Sequence, residues 1–463
     1  SLVSSNPNGA FARAGDNLTL NFTTSESIQD PLQSMSIQGL GSIALNSTNN
    51  GTLWTAVGQV LNNSSGSPAL SLTVLDQAGN RGSPYLDQFS HITLDTSPPT
   101  LTELSFVSSN KPDNSSQYAK AQDTLNLSFQ FQEPVQRPLV SIAGDNQNLQ
   151  LSHNSDNTSW EAVYTVQAGD NGTAEFNISY QDLAGNSGNS ASHLDLPSSI
   201  TLDTQSPTLS SIQLSSSNAY DPNLGMLGDN ITLSFESDES LMIPSGELAG
   251  ITVLSAVDNS SATEWYFTTD VISTIPEDNV NFSFDISDLA GNVVSGIKAT
   301  LDNSSVLIDL TKPIISGVTL VSSNDNGSWA KAGDNVTLEF STSEAVVAPS
   351  IVIAGNTRSA DNRSLDGKAW KTVYQVQTED NGSVNWNFAV MDLAGNLSEN
   401  VTQDNASLII MDTTAPEVMD VVFLSKGDNP SFARSGDELE FSFSTSETMK
   451  EVRIRLNDNN LLE

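Results

Sequence analysis

Apolar and polar residues alternate along this chain in short bursts. The same burst recurs as Leu18-Thr-Leu-Asn-Phe22, Leu125-Asn-Leu-Ser-Phe129, Ile231-Thr-Leu-Ser-Phe235, Val336-Thr-Leu-Glu-Phe340 and Leu439-Glu-Phe-Ser-Phe443. Each puts an apolar side chain at every other position, the pattern of a strand with one buried face. The surroundings recur as well. A Gly-Asp or Gln-Asp turn precedes each burst, with Asp16, Asp123, Asp229, Asp334 or Asp437, and a glutamate follows it: Glu26, Glu133, Glu239, Glu344 or Glu447. Next come a Pro-containing strand such as Pro349-Ser-Ile-Val-Ile353 and a strand marked by Trp54, Trp160, Trp265 or Trp370. No segment between these landmarks has helical period over a useful length. Short strands with turn signals every few residues predict a β-sandwich, about seven strands to the unit.

The next landmark sets the period. It is a corner read as Asp76-Gln-Ala-Gly-Asn80, Asp182-Leu-Ala-Gly-Asn186, Asp288-Leu-Ala-Gly-Asn292 and Asp392-Leu-Ala-Gly-Asn396, spaced by 106, 106 and 104 residues. Such a period is too long for a solenoid repeat and right for a small domain, so the chain is expected to be a tandem array. Glycine in a tight corner supplies positive φ without steric cost. A last strand then ends at Leu94-Asp-Thr-Ser-Pro98, Leu202-Asp-Thr-Gln-Ser-Pro207, Ile308-Asp-Leu-Thr-Lys-Pro313 and Met411-Asp-Thr-Thr-Ala-Pro416. The expected units are residues 1–96, 97–204, 205–310, 311–413 and a partial fifth at 414–463. Ser1-Leu-Val-Ser-Ser-Asn6 matches Ser105-Phe-Val-Ser-Ser-Asn110, so unit one is expected to lack the start of its first strand. The chain reads as a window cut from a longer one.

Composition narrows the function classes. The chain has 463 residues, with 55 acidic against 17 basic and a formal charge of −38. That surface repels nucleic acid and anionic lipid and attracts divalent cations. There is no cysteine, hence no disulfide and no thiol chemistry. No apolar run approaches the roughly 18–20 residues of a membrane span, and no signal-peptide pattern opens the residues given. Asn-X-Ser/Thr triplets are abundant, for example at Asn17, Asn126, Asn230 and Asn335, as a chain rich in Asn, Ser and Thr produces by chance or as a glycosylated secreted protein requires.

The repeated Asp-X-Ala-Gly-Asn corner, followed by Asp-Thr-Thr-Ala-Pro at the junction, resembles the bacterial Ig-like repeats found in tandem in large surface proteins and adhesins. The resemblance spans nearly the whole chain. It implies all-β, Greek-key, Ig-like sandwiches in single file, an extracellular stalk, and often calcium at the domain junctions. The aspartate-then-proline linker is also similar in logic to the cadherin junction, without the denser acidic run found there.

In such a sandwich the second strand runs towards the pole at which the chain enters, so its terminal Glu lies there. The Asp-X-Ala-Gly-Asn corner lies at the same pole, and the linker Asp of the preceding junction arrives there too. Three acids are therefore expected to converge: Asp95, Glu133 and Asp182; Asp203, Glu239 and Asp288; and Asp309, Glu344 and Asp392. Unit five retains Asp412 and Glu447, and unit one retains Glu26 and Asp76 without a linker. Clustered carboxylates repel, and Ca²⁺, which takes six to eight oxygen ligands, suits such a loop cluster better than Mg²⁺ or Zn²⁺. The bland alternative is an Asx-turn at each corner and solvated charge elsewhere. A second acidic group at the opposite pole, Asp16 and its equivalents with Asp170, Asp278 and Asp380, belongs either to the exit side of the junction or to turns, and reads better as turn formers.

The Trp series sits mid-strand among apolar neighbours, as in Trp160-Glu-Ala-Val-Tyr164, and reads as core, not as a sugar-stacking platform. Phe11, Tyr118, Trp329 and Phe432, before the Gly-Asp turns, read as plugs over the sandwich ends. The three histidines, His91, His153 and His193, have no ligand-like spacing, and no nucleophile elbow, phosphate loop or zinc pattern occurs. The sequence predicts no enzyme. It predicts a rod on the order of 150 Å that holds an adhesive or anchoring module away from a cell surface. Its partners would be neighbouring domains or copies of itself, and a cell-surface ligand through regions outside this chain. A surface-layer or extracellular filament subunit is the alternative, and a carbohydrate-binding array a third class.

Overall fold

A computed structural model of the chain describes all residues except 32–33, 84, 89–90, 111–116, 259–261, 404–407, 456–460 and 463. Unit two shows the plan. Strands Leu101–Ser108, Thr124–Phe131, Ser159–Thr165 and Gln150–His153 form one antiparallel sheet in that order. Leu139–Ile142, Phe176–Ser179 and Ala191–Ser192 form the facing sheet. Tyr118–Ala119 then pairs in parallel with Thr201–Leu202, which also pairs with Gly172–Thr173. The last two strands each run in two pieces and Tyr118–Ala119 is an additional one, so the expected seven strands become ten short ones. The order of the first sheet repeats in units one, three and four, while the facing sheet gains a fourth strand in units three and four, Ile251–Ser255 and Asn356–Ser359. This plan defines all-β, Ig-like sandwiches.

The alternation seen in the sequence is the core. Leu125, Leu127, Phe129 and Phe131 point inward from one strand and are buried, while Asn126, Ser128 and Gln130 face outward. Successive side chains on a strand point to opposite faces, so one slip in register would turn the whole set to solvent. Four separate apolar cores result, drawn from residues 2–94, 119–202, 212–308 and 330–411. Trp54, Trp160, Trp265 and Trp370 are buried members of these units, as expected for core residues. Trp160 donates its ring N–H to the Asn157 carbonyl at 3.1 Å, which satisfies its one polar atom.

The aromatic residues before the Gly-Asp turns differ from expectation. Phe11 and Tyr118 are half-buried, and Trp329 and Phe432 are exposed. Phe11, Tyr118 and Trp329 each begin a two-residue strand hydrogen-bonded at the rim. In unit five Val418–Ser425 pairs with Leu439–Thr445, and Val421, Phe423 and Leu439 are exposed. Among the described residues no helix is long and apolar enough to cross a membrane.

Candidate functional site: the junctions between units

Each junction is assembled from two units. The last strand of unit one, Thr93–Asp95, pairs in parallel with Phe11–Ala12 and delivers Asp95 to the exit pole. Unit two then presents Glu133, just beyond its second strand, and the corner that opens at Asp182. Val135 forms an isolated bridge with Asp182, which ties the Glu133 loop to the corner. The same bridge recurs between Leu241 and Asp288 and between Val346 and Asp392.

The three expected groups come together. One carboxylate oxygen from each of Asp95, Glu133 and Asp182 lies within 4.8 Å of the others, and the same holds for Asp203, Glu239 and Asp288 and for Asp309, Glu344 and Asp392. Asp182, Asp288 and Asp392 are fully buried, while the other two members of each group are half-exposed. Each buried Asp is held by its own corner. Asn186 donates its backbone N–H and its side-chain amide to the two oxygens of Asp182 at 2.9 and 2.7 Å, and Asn292 and Asn396 do likewise for Asp288 and Asp392. The same Asn amides reach across the linker to the carbonyls of Asp95, Asp203 and Asp309, at 2.9, 3.0 and 2.9 Å. The Asx-turn expected as the bland alternative is therefore present, and the acidic cluster is built on top of it.

Charge is unbalanced at these points. Among the described residues no Lys or Arg forms an ion pair with any of the nine carboxylates. Loss of water and the neighbouring charges of Asp95 and Asp182 raise the proton affinity of Glu133. Glu239 is pushed up to about 7 by loss of water and then by Asp203 and Asp288. Glu344 is raised for the same reasons, and burial raises Asp95 and Asp309. Like charges crowded out of water favour the neutral form, and a hard cation with oxygen ligands would remove the same repulsion. The three carboxylates of each cluster supply only oxygen ligands, which fits a hard divalent ion and not a thiophilic one. The partial fifth unit keeps Asp412 against Glu447, whose proton affinity is raised by loss of water and then by Asp412.

At the opposite pole both expected roles are present. Asp16, Asp123 and Asp229 do form turns, accepting the backbone N–H of Arg13, Lys120 and Met226 at 2.8 Å. They also stand on the exit side of the junction. The same carboxylate oxygen accepts the side-chain amide of Asn6, Asn110 or Asn218, and that amide contacts the next unit. Asp170 and Asp380 do behave as turn formers, each accepting a tyrosine hydroxyl, from Tyr164 and Tyr374. The three asparagines carry a sequence signal that went unread: Ser-Ser-Asn closes the first strand at Asn6, Asn110, Asn218 and Asn324.

Fold and junction together define a tandem Ig-like array with oxygen-rich acidic clusters between its units. No protein-family model matches the chain, and no curated protein matches it. Several solved structures of tandem domains are similar to it. One is a Ca²⁺-stabilized adhesin that helps an Antarctic bacterium reach out and bind ice, at 16% identity over 87% of this chain and 95% of that one, with a TM-score of 0.35. Another belongs to a 1.5-MDa bacterial ice-binding adhesin, described for its retention at a host cell surface, at 15% identity over 69% and 100%, with a TM-score of 0.36. The D1–D4 ectodomain fragment of ICAM-5 is similar at 13% identity over 89% and 100%, with a TM-score of 0.28. At such scores the likeness decides nothing about function, and the fold rests on the strand order.

Proposed function

We propose that the chain is a non-catalytic, extracellular stalk region of a surface adhesin, made stiff by calcium bound at its domain junctions. The observation that carries this reading is the construction of the three acidic clusters from two units each. A cation there would bridge the linker Asp of one unit to the Glu and corner Asp of the next. Its binding energy would then hold the angle between units as well as the fold of either one. The short linkers with Pro98, Pro207, Pro313 and Pro416 restrict φ and support the same reading.

The test is calcium titration of the full chain by calorimetry, with thermal unfolding in millimolar Ca²⁺ and in excess chelator. A ligand that binds only the folded state stabilises it by about 2.7 kcal/mol at a hundredfold excess over Kd. The expected result is three sites, and a rise in midpoint that shrinks when Asp203, Glu239 and Asp288 become Asn, Gln and Asn. No heat and no shift at millimolar Ca²⁺ would leave the clusters as solubilising charge and overturn the stiffened stalk.

A further inference from the structure

The corner that carries the buried Asp has a second face, and that face is occupied by the preceding unit. The Asn110 side-chain amide donates one proton to Asp123 Oδ2 at 2.6 Å and the other to the carbonyl of Ala290, in the corner of unit three, at 2.7 Å. Asn6 makes the same pair of bonds to Asp16 at 2.6 Å and to Ala184 at 2.8 Å, and Asn218 to Asp229 and Ala394, both at 2.7 Å. All three asparagines are 7% exposed. Their amide oxygens are used as well where the turn allows, Asn6 accepting from Asn8 N–H at 2.9 Å and Asn218 from Tyr220 N–H at 2.9 Å.

At two of the three junctions the next carbonyl of the corner is also held from the unit before. Lys120 Nζ donates to the Gly291 carbonyl at 2.7 Å, and Arg13 Nη1 donates to the Gly185 carbonyl. At the third junction the Tyr220 ring packs against the corner glycine instead. A Cβ built on Gly395, whose φ is +105°, would lie 2.6 Å from that ring, so glycine is needed there for contact as well as for backbone conformation. A different side chain thus meets the corner at each junction, beside an unchanging Asn–Asp pair.

We infer that the Asn–Asp pair at each exit pole is a socket for the Ala-Gly carbonyls of the following corner, and that it sets the orientation between units without a metal. The amide geometry explains the choice of residue. Asp at the second position is a turn former that fixes one amide proton, and the other proton is thereby aimed out of the pole at a carbonyl. Serine reaches too short a distance and glutamine adds a rotatable bond. In unit four Asn324 makes the same bond to Asp334, at 2.7 Å, within residues that include no unit-five corner. Unit five has Gly427 in this position.

The absence of cysteine lets a pair of spin labels be introduced in the full chain by Ser105→Cys and Gln213→Cys, both exposed and on successive units. Electron–electron distances are then measured in excess chelator, so the outcome does not depend on calcium. A narrow distribution that broadens at least twofold with Asn110→Ala, and less with Lys120→Ala, is the expected result. Asn324→Ala reports what loss of the bond to the turn Asp does to a unit by itself, read by hydrogen exchange over residues 322–336. If it loosens that pole, Lys120→Ala, which leaves the Asn110–Asp123 bond intact, becomes the deciding variant. An unchanged distribution for both Asn110→Ala and Lys120→Ala overturns the socket, whatever calcium does. Failure of calcium to bind, with broadening intact, overturns only the metal reading.

Discussion

The corner of unit one and the corners of units two to four share nearly the same residues and the same internal bonds, yet their surroundings differ. Asn80 donates its backbone N–H and side-chain amide to Asp76 at 2.8 and 2.7 Å, as Asn186 does to Asp182. Asp76 nevertheless stays half-exposed and Ala78 is exposed, whereas Ala184, Ala290 and Ala394 are no more than 1% exposed. The Asn80 bonds hold the Asp76 carboxyl below its ordinary value, while in the other units the raised groups are the acids gathered around the corner Asp. Within the residues described, an exit pole packs on the later corners and none packs on the first. The corner alone is a turn; with a preceding exit pole it becomes the floor of an acidic cluster. A candidate ion site is therefore a property of the junction and not of the repeat.

Calcium gives the largest expected difference between these two kinds of corner. In saturating Ca²⁺ the corners at 182–186, 288–292 and 392–396 should gain about 2.7 kcal/mol of protection at a hundredfold excess over Kd, and the corner at 76–80 should gain little. Hydrogen exchange resolved by peptide, with and without chelator, reads this directly. Equal protection at 76–80 would show that Glu26 and Asp76 suffice, and the junction would lose its special role.

Acid should separate the same corners with opposite signs, and by less. Glu239 in the folded chain binds its proton near pH 7, above the 4.5 of an ordinary glutamate. The folded state therefore binds more protons than the unfolded one between those values, and stability falls as pH rises through 7. In chelator, unit three should gain stability as pH drops from 8 to 5. Asp76 is shifted the other way, so the stability it contributes is present above the ordinary value of 3.8 and is lost as pH falls below it. Unit one should thus be indifferent between pH 8 and 5 and loosen only in stronger acid. Thermal unfolding read by peptide-level exchange at pH 8, 5 and 3 checks both signs, and a unit three that weakens from pH 8 to 5 would show that its acids are already neutralised by something else.

Strands and clusters were legible in the sequence for different reasons. Leu125-Asn-Leu-Ser-Phe129 announces its buried face because burial of alternate residues is a local property. Asp95, Glu133 and Asp182 could be placed together because a known strand order fixes which loops share a pole, even though no two of them are close in sequence. Asn110 could not be read in that way. An asparagine after a strand is ordinary turn chemistry, and its partner Ala290 lies 180 residues further on and offers only a backbone carbonyl. Sequence carries no mark for a carbonyl. The repeat of Ser-Ser-Asn was the only trace, and its meaning appears once the next unit is seen against it.

The smallest expected effect concerns the single residue by which the first corner departs from the others. Gln77 stands where Leu183, Leu289 and Leu393 stand, and its side-chain amide donates to the Ile28 carbonyl at 2.9 Å and to Ser27 Oγ at 3.4 Å. Those bonds tie the unit-one corner to the loop after its second strand, beside the isolated bridge between Ile28 and Asp76. Leu289 and Leu393 are exposed, so leucine at this position contributes little burial that a Gln77→Leu chain could recover. The substitution should cost unit one about 1 kcal/mol, the net worth of one hydrogen bond, and leave units two to four unchanged. The reverse change, Leu289→Gln, should be neutral within about 0.5 kcal/mol, as surface substitutions generally are. Hydrogen exchange over residues 26–30 and 76–80 is the measurement. A loss confined to those peptides would show that Gln77 ties the first corner to the loop after the second strand; no loss would make that corner's turn self-sufficient and its one sequence difference incidental.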